Sequence, residues 1–178
     1  MLPLCCLLAA QGAATTTEEG IMRVGIGYDI HRFVEDRPLI LGGIEILHIL
    51  GLEGHSDGDA LIHAICDAIL GAAGLDDIGH QFPVDDDRYA GIASIGLLKK
   101  VRELIEEKKF KVDYVDSVII LEEPKIAPFK EGMKKEIAAA LGIDKDSVNV
   151  KATTQEGVGA IGRGEAIAAY AVACLLKS

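Results

Sequence analysis

The sequence has no tryptophan, and only 4% of its residues are aromatic. A core built on large rings is therefore excluded. Ile, Leu, Val and a large share of Ala must fill the interior, which favours thin layers and close helix contacts. Cysteine is sparse, and its four copies form neither a CxxC pair nor a regular framework: Cys5 and Cys6 lie near the amino terminus, Cys66 in a helical pattern and Cys174 in a terminal apolar run. That excludes a disulfide scaffold and predicts small buried thiols in a reducing compartment. Positive charge is also short. With 18 Lys and Arg against 28 Asp and Glu, the formal net charge is -10. Such a surface repels a phosphate backbone at long range, so no nucleic-acid partner is expected, and any phosphate site must lie where a metal or local cations invert the field.

Nothing in the chain is long and apolar enough to span a bilayer, so no membrane partner is expected. The opening MLPLCCLLAAQGAATTTEEG lacks the basic start of a signal peptide, and no arginine of a transit peptide precedes Arg23. Residues 1–21 are read as a leader or disordered extension, and 22–178 as one domain starting at Met22. The cytoplasm is the expected location, with a plastid-type organelle as the alternative if the leader is a targeting peptide. No solenoid-length repeat and no interior Pro, Gly or Ser-rich linker divides the chain.

What is present alternates between strand and helix periodicity. Arg23 to Arg32 (RVGIGYDIHR) reads as a first strand, and Pro38 to Ile46 as two short strands about a Gly42-Gly43 turn. Ser56 to Ala73 is predicted helical: Leu61, Ile62, Ile65 and Ile69 fall on one flank, and Ser56, Asp59, His63 and Asp67 on the other, with Gly74 as the stop. A polar, turn-rich loop follows over Asp76 to Gly91 and suits a lid. Ser94 to Lys109 is a second amphipathic helix, Lys111 to Leu121 a strand, and a third helix follows Pro128 and ends at Leu141 before Gly142. Val148 to Thr154 is a strand. Glu165 to Lys177 is open between helix, by its alanines, and a strand buried on both faces, by its unbroken apolar character. The fold class is α/β (α+β): one domain with a mixed four- to five-stranded sheet packed by helices on one face.

Three constellations carry chemistry. Asp29 and His31 sit two apart on one strand face, and His63 on the polar helix flank offers a third ligand, the composition of an open zinc centre. Asp59 and Asp67, four residues to either side of His63, are candidates to orient its second ring nitrogen; solvated helix charge is their alternative, as is an acidic helix start for Asp57 and Asp59. His55 and Ser56 stand at the expected helix start, which favours an anion, while Ser56 alternatively serves as the N-cap. Lys151 to Glu156 (KATTQE) enters a Gly-rich loop closed by Gly162-Arg163-Gly164, whose hydroxyls, carboxylate and guanidinium suit phosphate and magnesium. It matches neither the Walker nor the Rossmann pattern, and a polar hairpin connection is the other reading.

Taken in order, GYDIHRF, GLEGHSDGDALIHAICDAILGAAGLDDIGHQFP, EEPKIAPF and VNVKATTQEGVGAIGRGEAIA resemble the successive motifs of the 2-C-methyl-D-erythritol 2,4-cyclodiphosphate synthases. The resemblance runs from Met22 nearly to the carboxyl end. It implies that Asp29, His31 and His63 hold Zn2+ or another divalent cation, and that Glu156 holds Mg2+ or Mn2+ with the substrate diphosphate. It implies contacts to the methylerythritol phosphate portion from His55 and Ser56, further substrate contacts from Asp29, Ile30 and His31, and a substrate loop formed by Asp77, Ile78, Gly79, Phe82, Pro83, Val84, Asp85 and Asp86. The cytidine diphosphate would be cradled by Leu121, Glu122, Glu123, Pro124, Lys125, Ile126 and Ala127, and its phosphates by Thr153, Thr154, Gln155 and Glu156. His55 and Thr154 match the positions that stabilise the transition state, and Ala160 and Arg163 match a cavity on the axis of a homotrimer with intersubunit active sites.

The implied reaction converts 4-diphosphocytidyl-2-C-methyl-D-erythritol 2-phosphate to the cyclic diphosphate and CMP in the non-mevalonate route to isoprenoid precursors. Two departures stand out: Val84 and Asp85 replace residues of a common FPDTD, and Ala160 stands where some members carry Phe. A metal-dependent phosphohydrolase giving linear products, and a non-catalytic trimeric binder of isoprenoid diphosphates, are the competing readings.

Overall fold

The structure, a computed structural model, describes residues 22–83 and 92–177. The proposed leader and the loop positions Val84, Asp85 and Asp86 lie outside the described residues. The first strand, β1, runs over Met22–Val34, and β2 (Leu39–Leu41) and β3 (Ile44–Ile46) form a hairpin. Gly42 and Gly43 turn it with φ of 61° and 78°, the left-handed pair that a tight two-residue hairpin needs. After β4 (Gly51–Leu52) come α1 (Ala60–Ala73), α2 (Ile78–Gln81) and α3 (Ser94–Glu107), then β5 (Phe110–Ile120), α4 (Lys130–Leu141), β6 (Val148–Thr153), α5 (Gly159–Gly162) and β7 (Ala166–Lys177).

One mixed five-stranded sheet has the order β4-β1-β7-β5-β6. β7 pairs antiparallel with both β1 and β5, and among the described strands only β5 and β6 are parallel. The segment left open in sequence is thus the central strand. Alanine's helix propensity yields because Ala166 to Ala169 are all buried between two partner strands and under α1.

Period-two alternation gives β1 two different faces. Val24, Ile26, Tyr28 and Ile30 point away from the helices and stay exposed, joined from β7 by Tyr170, which stacks on its register partner Tyr28 at 4.6 Å. Gly25, Gly27, Asp29 and His31 alternate with them and face α1. The glycines are there for proximity: an added Cβ would lie 2.1 Å from the Ala68 carbonyl oxygen at Gly25 and 2.0 Å from that of Ala64 at Gly27. Backbone therefore meets backbone, and the helix residue next to Ala64 is His63.

The helix predicted from Ser56 begins at Ala60 instead. Gly58 has a φ of 74°, which breaks helical continuation toward Ser56. Asp59, not Ser56, is the N-cap, accepting from the Ile62 N–H. The predicted stop is observed, with Gly74 left-handed beneath the last turn. The core gathers Leu61, Ile65 and Ile69 of α1 with Leu98, Val115, Ile119 and Ile137. No helix among the described residues is long and apolar enough to cross a membrane.

Candidate active site

Asp29 and His31 enter the site from the inner face of β1, and His63 from α1, brought close by the two glycines. Asp29 Oδ2 lies 2.7 Å from His31 Nε2 and 2.9 Å from His63 Nδ1. The two imidazole nitrogens are 3.1 Å apart. Three lone-pair atoms thus face one point, on side chains only 26%, 18% and 13% exposed.

This donor set fits a divalent cation. Tetrahedral zinc bound at about 2.0–2.1 Å separates its ligand atoms by roughly 3.3 Å, so the sides of the triangle need to open by about 0.2 to 0.6 Å. Electrostatics keeps Asp29 in its ligand form, while a cation has to displace the proton that the same carboxylate favours on His31. Burial disfavours the charge on Asp29, yet the neighbouring His31 and His63 rings hold its carboxyl well below the usual range. At His31 burial likewise opposes protonation, and the Asp29 carboxylate overcomes it and raises the pKa.

The outer shell differs from the sequence expectation. Asp59 is fully buried and turned away from the His63 ring, accepting from the backbone N–H groups of Gly42 at 3.0 Å, Gly43 at 2.7 Å and Ile62 at 3.1 Å. It fastens the β2–β3 hairpin to the start of α1. Asp67 accepts from the Ile78 N–H at 2.8 Å and ties α1 to α2. Helical spacing placed both beside His63, but unpaired backbone donors claimed them first. His31 Nδ1 instead meets the Glu53 carbonyl, and His63 Nε2 lies 2.9 Å from Ser94 Oγ and 3.2 Å from Ser56 Oγ.

An open cleft of ≈ 440 Å³ beside the triad is lined by Ile30, His31, Arg32, Glu53, Gly54 and His55. The structure therefore brings together the β1 residues and His55. The Arg37 guanidinium, which no sequence pattern marked, pins this rim by donating to the carbonyls of Gly54, at 2.7 Å, and Ser56. Asp77 caps α2 by accepting from His80, and Ile78 and Gly79 lie in that short helix, followed by buried Phe82 and then Pro83.

A second group stands at the ends of β5 and β6. Leu121 donates to the Thr153 carbonyl at 3.1 Å, and the Glu122 carboxylate accepts from Gln155 N at 2.8 Å and Gly157 N at 3.3 Å. The stretch Leu121 to Ala127, with Glu123, Pro124, exposed Lys125 and Ile126, is thereby joined to the KATTQE turn. Thr154 Oγ1 donates to Glu156 Oε1 at 2.8 Å, and Glu156 holds an unusual φ of 54° on exposed backbone. Ala160, with Ile30, Arg32 and Phe33, lines a cavity of ≈ 690 Å³. Arg163 is paired with Glu165 at 2.6 and 3.2 Å.

The two groups stand apart in one chain. Both lie toward one end of the sheet, since Asp29 and Ile119 share Ala169 as register partner. β1 and β6 are nevertheless three strand spacings apart, roughly 14 Å.

Comparison with known proteins covers nearly all of the described chain. The model of the YgbB family matches residues 22–176. The 2-C-methyl-D-erythritol 2,4-cyclodiphosphate synthase of Clostridium acetobutylicum is 56% identical over 155 residues, covering 87% of this chain and 99% of that protein. Among solved structures, a CDP complex of Plasmodium falciparum IspF is 37% identical with a TM-score of 0.77, covering 88% of this chain and 97% of that one. The bifunctional IspDF of Campylobacter jejuni is 41% identical with a TM-score of 0.86 over 89% of this chain, which spans 43% of that larger protein.

Proposed function

This chain belongs to the YgbB family and carries out 2-C-methyl-D-erythritol 2,4-cyclodiphosphate synthesis in isoprenoid biosynthesis; from that premise we infer how its residues divide the work. The substrate is 4-diphosphocytidyl-2-C-methyl-D-erythritol 2-phosphate. An oxygen of its 2-phosphate attacks the β-phosphorus in line, and the bond from that phosphorus to the bridging oxygen breaks. CMP leaves with the electron pair. No protein nucleophile is required, so catalysis rests on positioning and on neutralising charge.

Asp29, His31 and His63 would hold a divalent cation, and zinc suits this nitrogen and oxygen set. Bound there, it supplies Lewis acidity and a fixed positive charge for a phosphate oxygen. His55, on the rim of the same cleft, reaches the methylerythritol phosphate portion together with Ser56. Thr154 and Glu156 form the second acidic and hydroxyl pair, suited to Mg2+ or Mn2+ on the diphosphate, with Leu121 to Ala127 cradling the cytidine. In a protein of net charge -10, cation sites are how mutually repelling phosphates are brought to bonding distance.

We further place the complete site between subunits of a homotrimer. The separation of β1 from β6 within one chain supports this, because a diphosphate cannot bridge roughly 14 Å. So does the uncovered sheet face, where Ile26 is 71% and Val24 57% exposed. The catalytic domain begins at Met22 in this reading, and the protein is cytoplasmic, in keeping with the free thiols of Cys66 and Cys174.

One observation carries the proposal: three metal-ligand atoms from two separate elements meet within 3.1 Å. Incubation with the cytidine diphosphate substrate, followed by mass spectrometry, is expected to show CMP and the cyclic product in equal amounts. Both should vanish with a chelator or on His31→Ala. A linear phosphate product would instead mark a phosphohydrolase.

A further inference from the structure

We propose that Ser94, backed by Asp57, is a positioning residue for His63, fixing the ring so that Nδ1 stays open toward Asp29 and His31. This rests on the metal-binding reading of those three residues. Ser94 is fully buried although it opens α3, and the N-cap of that helix, Ala93, makes no side-chain capping bond. The cap comes from elsewhere in the chain: the Ser94 N–H donates to Asp57 Oδ2 at 3.0 Å. The same carboxylate takes the Ser94 hydroxyl on Oδ1.

The hydrogen bonds then have only one consistent direction. A hydroxyl carries a single proton, and a carboxylate only accepts, so the Ser94 proton is committed to Asp57. Ser94 Oγ, 2.9 Å from His63 Nε2, must accept there. Nε2 therefore bears the ring hydrogen, and the lone pair is left on Nδ1, the atom 2.9 Å from Asp29 Oδ2 and 3.1 Å from His31 Nε2. Ser56 Oγ is a looser neighbour, 3.2 Å from Nε2 and 3.3 Å from Ser94 Oγ, and among the described residues no carboxylate stands behind it to impose a direction. His31 is held in the matching way by the Glu53 carbonyl. Its support is main chain, whereas the support of His63 is a side chain that substitution can remove.

The test compares zinc affinity, by competition with a chromophoric chelator, and the visible spectrum of the cobalt-loaded protein across wild type, Ser94→Ala and Asp57→Asn. Both variants are expected to bind zinc about 10- to 100-fold more weakly and to show shifted cobalt bands. Ser117→Ala is the control. Ser117 is also buried, and its hydroxyl donates to the Asn149 carbonyl at 2.9 Å, on a strand separated from β1 by β7, so its loss should lower the melting temperature and leave zinc affinity unchanged. Wild-type affinity and an unshifted spectrum in Ser94→Ala would overturn the proposal, as would equal weakening in Ser117→Ala. If wild type itself bound no metal, the metal reading would fall and this inference with it.

Discussion

The seam between β1 and α1 and the turn between β6 and β7 hold the two halves of the proposed site, and they are built in opposite ways. The seam is backbone against backbone at Gly25 and Gly27, and its three ligand side chains are mostly buried. The turn is exposed from Thr153 to Ala160 and is held chiefly by one carboxylate, Glu122. The first half is finished when the domain folds. The second presents its groups outward on a left-handed Glu156, where the proposed intersubunit site would need a substrate or a neighbouring subunit to complete them.

The largest effect should come from closing the gap on which the seam depends. In Gly27→Ala the new Cβ would stand 2.0 Å from the Ala64 carbonyl oxygen, so α1 must lift and carry His63 away from Asp29. We expect zinc content and activity to be lost together, with about 1–3 kcal/mol of stability, read by elemental analysis, CMP release and denaturant melts. The turn should behave differently. Glu156→Gln is expected to lower turnover about a hundredfold or more while zinc content and melting temperature match wild type. Loss of zinc in Glu156→Gln would show that the two halves are not separate.

Asp59 allows a pH test of the seam's foundation. Burial pushes its carboxyl up to about 6, against the backbone donors Gly43, Ile62 and Gly42 that pull it down. A carboxyl raised in the folded state adds stability that is complete below its unfolded value, near 3.9, and is lost as pH rises through about 6. Asp59→Asn should remove this group's contribution, about 2–3 kcal/mol across pH 4 to 6, measured as the change in the wild-type-minus-variant stability difference. The smallest effect is expected at Glu122→Gln, which keeps the acceptor oxygen and loses only its charge. A KM rise of a few-fold, with under about 0.5 kcal/mol in stability, is the expected reading.

Much of this contrast was legible in sequence, for identifiable reasons. The ligand triad could be read because a two-residue spacing fixes one strand face and helical periodicity isolates His63. The close approach that unites them could not: GIG reads only as flexible strand until Ala64 and Ala68 are seen beneath it. Of the two readings open for Asp59, the helix start is the one observed; neither it nor Asp67 orients His63, because spacing says which residues share a helix flank, not which backbone donors compete for them. β7 stayed open because its alanines satisfy both helix propensity and a crowded central strand. Ser94 gave no signal, since its partners Asp57 and His63 are 37 and 31 residues away.

The central claim is that Asp29, His31 and His63 share one cation. Anomalous diffraction from zinc-soaked crystals, collected on both sides of the zinc edge, addresses it directly. The account predicts a single strong peak about 2.0–2.1 Å from Asp29 Oδ2, His31 Nε2 and His63 Nδ1. A well-ordered site with no peak there, or with those side chains turned to separate partners, would contradict it.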